Sequence, residues 1–97
     1  MERNTYMIVN NLMLKIKDPA DIDKVCDELL SMRGNVPMLA DIIVGRNFRD
    51  TGYDFIMVAK YDSMADYEAY ITDPFHQQVS KNIGDLIEGR ASVLYQE

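Results

Sequence analysis

The chain has 97 residues, 47% apolar and 27% charged, enough for one folded domain and too few for two. Ten Lys and Arg against 16 Asp and Glu leave a net charge of −6. That field repels phosphate backbones and anionic lipid heads, so neither nucleic acid nor membrane is an expected partner.

The opening stretch MERNTYMIVNNLMLK has no long apolar core and no cleavage-like small residues, unlike a signal peptide. No apolar run approaches the about 18 residues of a membrane span, and a cytoplasmic, reducing setting is expected. The single cysteine, Cys26, forms neither an internal disulfide nor a Cys-based zinc site.

Residues 6–17 alternate with a period of two and read as a first strand. Ile8, Asn10, Leu12, Leu14 and Ile16 share one face, on which Asn10 is the polar exception. Asp18 and Pro19 then open a helix as cap and first-turn proline. Ile22, Val25, Cys26, Leu29 and Leu30 form its apolar stripe, and Gly34 ends it. Cys26 lies on that stripe, which predicts a buried, inert thiol.

Residues 38–47 read as a second strand and 53–62 as a third, joined by a short loop that favours an antiparallel hairpin. Phe55, Met57, Ala59 and Tyr61 share one face of the third strand. Ser63 caps a short helix with Asp66 three residues on, an acidic variant of the capping box. Asp73-Pro74 restarts the chain, and Phe75, Val79, Ile83, Leu86 and Ile87 run down one side of a further helical piece. The stretch RASVLYQE (90–97) closes as a strand with Ala91, Val93 and Tyr95 alternating.

This order predicts a single α+β domain over residues 1–97, with its core in 6–96. The arrangement is ferredoxin-like βαββαβ, a four-stranded antiparallel sheet with helices on one face. The other face, carrying Val9 and Met13 or else the Phe55–Tyr61 set, has no cover within the chain. A domain of this size buries only about 60–65% of its unfolded surface, and a second copy is the economical cover. A homodimer is the expected assembly. If the Phe55–Tyr61 set lines it, Met57→Lys should weaken the dimer.

The runs NNLMLKIKD, GRN, GYDFIMVAKYDS and YITDPFH, in this order and spacing, resemble the stress-responsive dimeric α/β-barrel (Dabb) family over roughly residues 6–96. The resemblance implies two ferredoxin-like subunits closing their open sheet faces into a barrel. In the family's plant polyketide cyclases of the olivetolic acid type, two strand histidines, a tyrosine and a further histidine line a pocket between sheet and helices. Carried over, the strand histidines fall on Asn10 and Phe55, and the retained pair is Tyr70 and His76. The implied pocket is therefore Asn10, Phe55, Tyr70 and His76, with His76 and Tyr70 as the candidate catalytic pair.

His76 is the only histidine in the chain. An imidazole suits proton abstraction near neutral pH, with a tyrosine donating to a carbonyl oxygen. The plainer role is a first-turn helix residue bonded to Asn10 or to a backbone carbonyl. Asn10 itself calls for a partner, because a buried amide is costly unless paired.

No cofactor or side-chain metal motif is present. Gly45, Arg46 and Asn47 lack the spacing of a phosphate loop, and Asp18, Asp21 and Asp23 lack that of a calcium loop. Some relatives hold magnesium on backbone carbonyls in the turn after helix one, here around Arg33, Val36 and Leu39. Four methionines in predicted strands (Met7, Met13, Met38 and Met57) suit ordinary core filling or an adaptable apolar cavity.

Two functions follow. One is a homodimer holding a small apolar or aromatic molecule, in a stress response. The other is a cofactor-free enzyme, a cyclase, lyase or monooxygenase, working through His76 and Tyr70. The absence of histidine at positions 10 and 55 favours binding over catalysis.

Overall fold

In the computed structural model, which describes residues 6–97, alternation and capping give four strands and three helices. They run β1 (Ile8–Ile16), α1 (Ile22–Leu30), β2 (Asp41–Arg46), β3 (Phe55–Tyr61), α2 (Met64–Thr72), α3 (Pro74–Ile83) and β4 (Ile87–Gln96). The first residues of the segment weighed as a leader lie outside the described ones. Among the described residues no helix is long and apolar enough to cross a membrane.

The strands form one antiparallel sheet in the order β2-β3-β1-β4, the ferredoxin-like arrangement. Asp18 caps a 3-10 turn, Pro19–Asp21, and α1 follows directly from it. Val25, Cys26 and Leu29 are the buried residues of α1, and burial pushes the Cys26 thiol pKa up, as an inert core thiol requires. Gly34 takes a left-handed φ of 81°, the conformation in which a glycine ends such a segment at low cost.

β3 decides which face is covered. Ile8 pairs with Tyr61, Asn10 with Ala59, Leu12 with Met57 and Leu14 with Phe55, so these residues share one side of the sheet. That side is packed under the helices, where Phe55, Met57, Ala59 and Tyr61 are buried with Leu14, Leu29 and Val79. The Phe55–Tyr61 set is thus core, not the open face. Met57→Lys would place a charge in the core and says nothing about a dimer.

The open face is built from cross-strand rows. Ile43, Val58, Asn11 and Val93 form one row; Gly45, Ile56, Met13 and Ala91 form the next. Ile43 and Val93, on the two edge strands of this face, are 53% and 57% exposed.

β4 begins at Ile87, three residues before the predicted start. Leu86 and Ile87 do not extend α3, because the chain tightens into a 3-10 turn, Gly84–Leu86, after Ile83. Asp54, unremarked in the sequence, anchors β3 to β1. Its carboxylate accepts from the Ile16 N–H at 2.7 Å and pairs with Lys15 at 3.2 Å.

Candidate functional site

The joint between α2 and α3 places the histidine. Pro74 has no N–H and biases the preceding residue towards extended backbone, so α2 stops and Asp73 sits at φ −63°, ψ 131°. From there the Asp73 carboxylate accepts from the His76 N–H at 3.0 Å and starts α3. The turn swings the imidazole back over Tyr70, with ring centroids 4.0 Å apart.

Three tyrosines continue the cluster. Tyr61 lies 4.9 Å from Tyr70 and 5.3 Å, nearly edge-on, from Tyr67. These spacings are the favourable offset and T-shaped arrangements of aromatic pairs. Tyr67, Tyr70 and His76 line one end of a cavity of about 210 Å³ between β1, β4 and the two helices, with Tyr61 packed behind them. Its wall is largely apolar, with Leu12, Leu14, Met57, Val79 and Ile83, and its polar groups come from Asn10, Tyr70, His76, Ser80, Arg90 and Ser92.

The buried polar atoms here are poorly satisfied. The Tyr61 hydroxyl and His76 Nδ1 have no hydrogen-bond partner. Asn10 and the Tyr70 hydroxyl lie close enough to Tyr61 to influence its ionisation, without the geometry of a hydrogen bond. Burial, aided by Tyr70 and Tyr67 and opposed in part by Asn10, raises the Tyr61 pKa far above the physiological range and keeps it a neutral phenol. Burial likewise pushes Tyr70 up to about 12, so both hydroxyls remain protonated donors at neutral pH.

Burial is also the main influence on His76, and it lowers the pKa from the usual imidazole value. The backbone at Ile71 and Tyr70 and the charge of Asp73 oppose it only in part. His76 is therefore a neutral imidazole at pH 7. Its Nε2 lies 3.4 Å from Ser80 Oγ, one helical turn on. No hydrogen bond joins it to Asn10.

Of the four pocket residues expected from the sequence, Asn10, Tyr70 and His76 line one cavity. Phe55 does not. It is buried at the other end of the shared face and borders a separate, wider depression of about 430 Å³ with Met13, Gly45, Tyr53 and Ile56. Tyr61 and Arg90 were not singled out in the sequence. Tyr61 could have been found from its place on the Asn10 face, Arg90 only from its pairing opposite Leu14.

In the turn after α1 the Val36 carbonyl accepts from the Leu39 N–H at 3.1 Å, and the Arg33 guanidinium bonds the Ile42 carbonyl. Among the described residues no cluster of three or more His, Cys, Asp or Glu side chains is placed to hold a metal.

The family model for the stress responsive A/B barrel domain, Dabb, matches residues 8–96, the whole sheet and all three helices. The chain belongs to the Dabb family. Solved structures place the same fold around this Dabb domain at low identity. A dimeric ferredoxin-like protein of unknown function from Thermobifida fusca is 20% identical with a TM-score of 0.82, covering 100% of this chain and 96% of that one. A hydroxynitrile lyase from Passiflora edulis is 14% identical with a TM-score of 0.84, covering 97% and 95%. A Dabb family protein from Mesorhizobium loti is 15% identical with a TM-score of 0.73, covering 93% and 95%. At these identities the likeness speaks for the fold alone. No curated protein matches the sequence.

Proposed function

We propose that this Dabb domain acts as a homodimer whose cavity between β1 and the α2–α3 joint holds a small apolar or aromatic molecule with a polar group. The observation that carries the reading is an apolar-walled cavity lined by His76, whose buried Nδ1 has no partner, with the equally unpartnered Tyr61 hydroxyl in the ring cluster behind Tyr70. A buried polar group left unpaired costs about 1–3 kcal/mol, and a ligand atom bonded to it offsets that cost. The dimer is supported by the exposed Ile43 and Val93 on the uncovered sheet face, and by the dimeric state of the Thermobifida fusca neighbour.

A second reading has one observation in its favour. His76 is neutral at pH 7 and stacked on a protonated Tyr70, as a base and a donor would be in a cofactor-free cyclase, lyase or monooxygenase. The hydroxynitrile lyase from Passiflora edulis has the same fold, which makes lyase chemistry a class to assay. Against it stand Asn10, an amide that cannot exchange protons usefully, and Phe55, which lies outside the cavity.

A thermal-shift panel of single-ring phenols, ketones and acids separates the two. A bound compound at about 100 times its Kd should stabilise the fold by about 2.7 kcal/mol. Binding alone leaves the compound unchanged after incubation. Turnover that disappears in His76→Gln would support the enzyme, and a panel without any stabilising compound would contradict both.

A further inference from the structure

Arg90 is the cation lining this cavity, and among the described residues no carboxylate pairs with its charge. It pairs opposite Leu14 in β4, which turns it to the helix-covered side, and it lines the cavity while remaining exposed at the mouth. Among the described residues the ion pairs are Lys15–Asp54, Arg46–Asp23 and Lys60–Glu97, and Arg90 makes neither an ion pair nor a side-chain hydrogen bond.

The cavity has polar groups towards both ends. Asn10, Tyr70 and His76 gather at one, with the buried Tyr61 ring packed behind Tyr70, and Arg90 stands at the other, beside Leu14. Asn10 and Leu14 are four residues apart on β1, about 13 Å along an extended strand. Between them the wall is Leu12, Met57, Val79 and Ile83, with Ser92, opposite Leu12, as its polar exception. Its volume of about 210 Å³ falls below the about 300–1,000 Å³ of drug-sized sites, which suits a single ring with a short chain.

We infer that the ligand is a small carboxylate: an aromatic or apolar body with its anionic end on the Arg90 guanidinium and a hydroxyl or carbonyl at the Tyr70–His76 end. The inference rests on the cavity reading above and adds the charge and polarity of the ligand. A guanidinium binds a carboxylate through paired, charge-assisted hydrogen bonds that a neutral amide cannot reproduce. Asp73, the acidic residue nearest the histidine, is held by the His76 N–H at the opposite end and does not compete for Arg90.

Titration calorimetry at pH 7 and low salt, with 3-(4-hydroxyphenyl)propionate and its neutral amide, tests this. The acid should bind the wild type about tenfold more tightly than the amide, given the strength of charge-assisted bonds at a partly exposed site. Arg90→Gln should remove the acid's advantage over the amide, with the thermal midpoint preserved because Arg90 is exposed. Equal affinity of acid and amide for the wild type, or a preference that survives Arg90→Gln, would overturn the carboxylate assignment and leave the cavity reading standing. Failure of both compounds to bind at millimolar concentration would overturn the cavity reading and the assignment with it.

Discussion

At the scale of single residues, Tyr61 and His76 act against the stability of the empty protein. Tyr61 is fully buried with an unpartnered hydroxyl. Tyr61→Phe removes the hydroxyl and keeps the ring packing, so it should stabilise the ligand-free domain by about 1 kcal/mol. Chemical denaturation reads the effect, and a loss above about 1 kcal/mol would show that the hydroxyl is satisfied after all. His76 gives a pH signature. Its folded pKa lies below the unfolded imidazole value of about 6.5, so the unfolded chain binds its proton first as pH falls. The contribution is fully present above about pH 6.5 and declines as pH drops towards the folded pKa. The wild type should therefore lose stability relative to His76→Gln across that window, and parallel stability–pH curves would refute the lowered pKa.

At the scale of elements, the α2–α3 joint is the device that aims the imidazole. Asp73 ends one helix, caps the next and holds the His76 N–H, all within one turn. Asp73→Ala should cost about 1 kcal/mol, the usual loss for an acidic or hydroxyl N-cap, and Asp73→Ser should recover most of it. Urea denaturation compares the two, and an Asp73→Ala midpoint equal to wild type would remove the cap from the account. This joint was legible from Asp73-Pro74 and the spacing around it, because capping is a local matter. The sidedness of β3 was not. Alternation defines two faces and leaves open which one the helices cover, and only the pairing of Leu14 with Phe55 settles it. The onset of β4 was hidden because Ile83, Leu86 and Ile87 continue a helical spacing through the 3-10 turn. Tyr70 and His76 could be named in advance through the family resemblance carried by YITDPFH, whereas Tyr61 and Arg90 join that neighbourhood only through strand register.

At the scale of the whole molecule, one sheet face is covered by helices and the other presents Ile43, Val58, Val93 and Met13. Val58 lies in the middle row of that face, beside Asn11 and Ile43. Val58→Glu would bury an unpaired charge in a face-to-face dimer and should raise the dissociation constant about a hundredfold or more. The fold of the monomer should survive, since Val58 points away from the core. Sedimentation equilibrium should show a wild-type dimer and a Val58→Glu monomer, and a wild-type monomer at micromolar concentration would contradict the assembly. Such a dimer leaves the His76 cavity on the outer, helix-covered side, so each subunit carries its own. The most direct test of that cavity uses the fact that the chain has a single histidine, whose ring resonances need no assignment. During a titration with 3-(4-hydroxyphenyl)propionate, followed by proton–nitrogen NMR of the imidazole, both His76 ring nitrogens should shift and saturate with the binding curve. Saturable binding that leaves those two resonances unmoved would contradict the claim that ligand meets protein at His76.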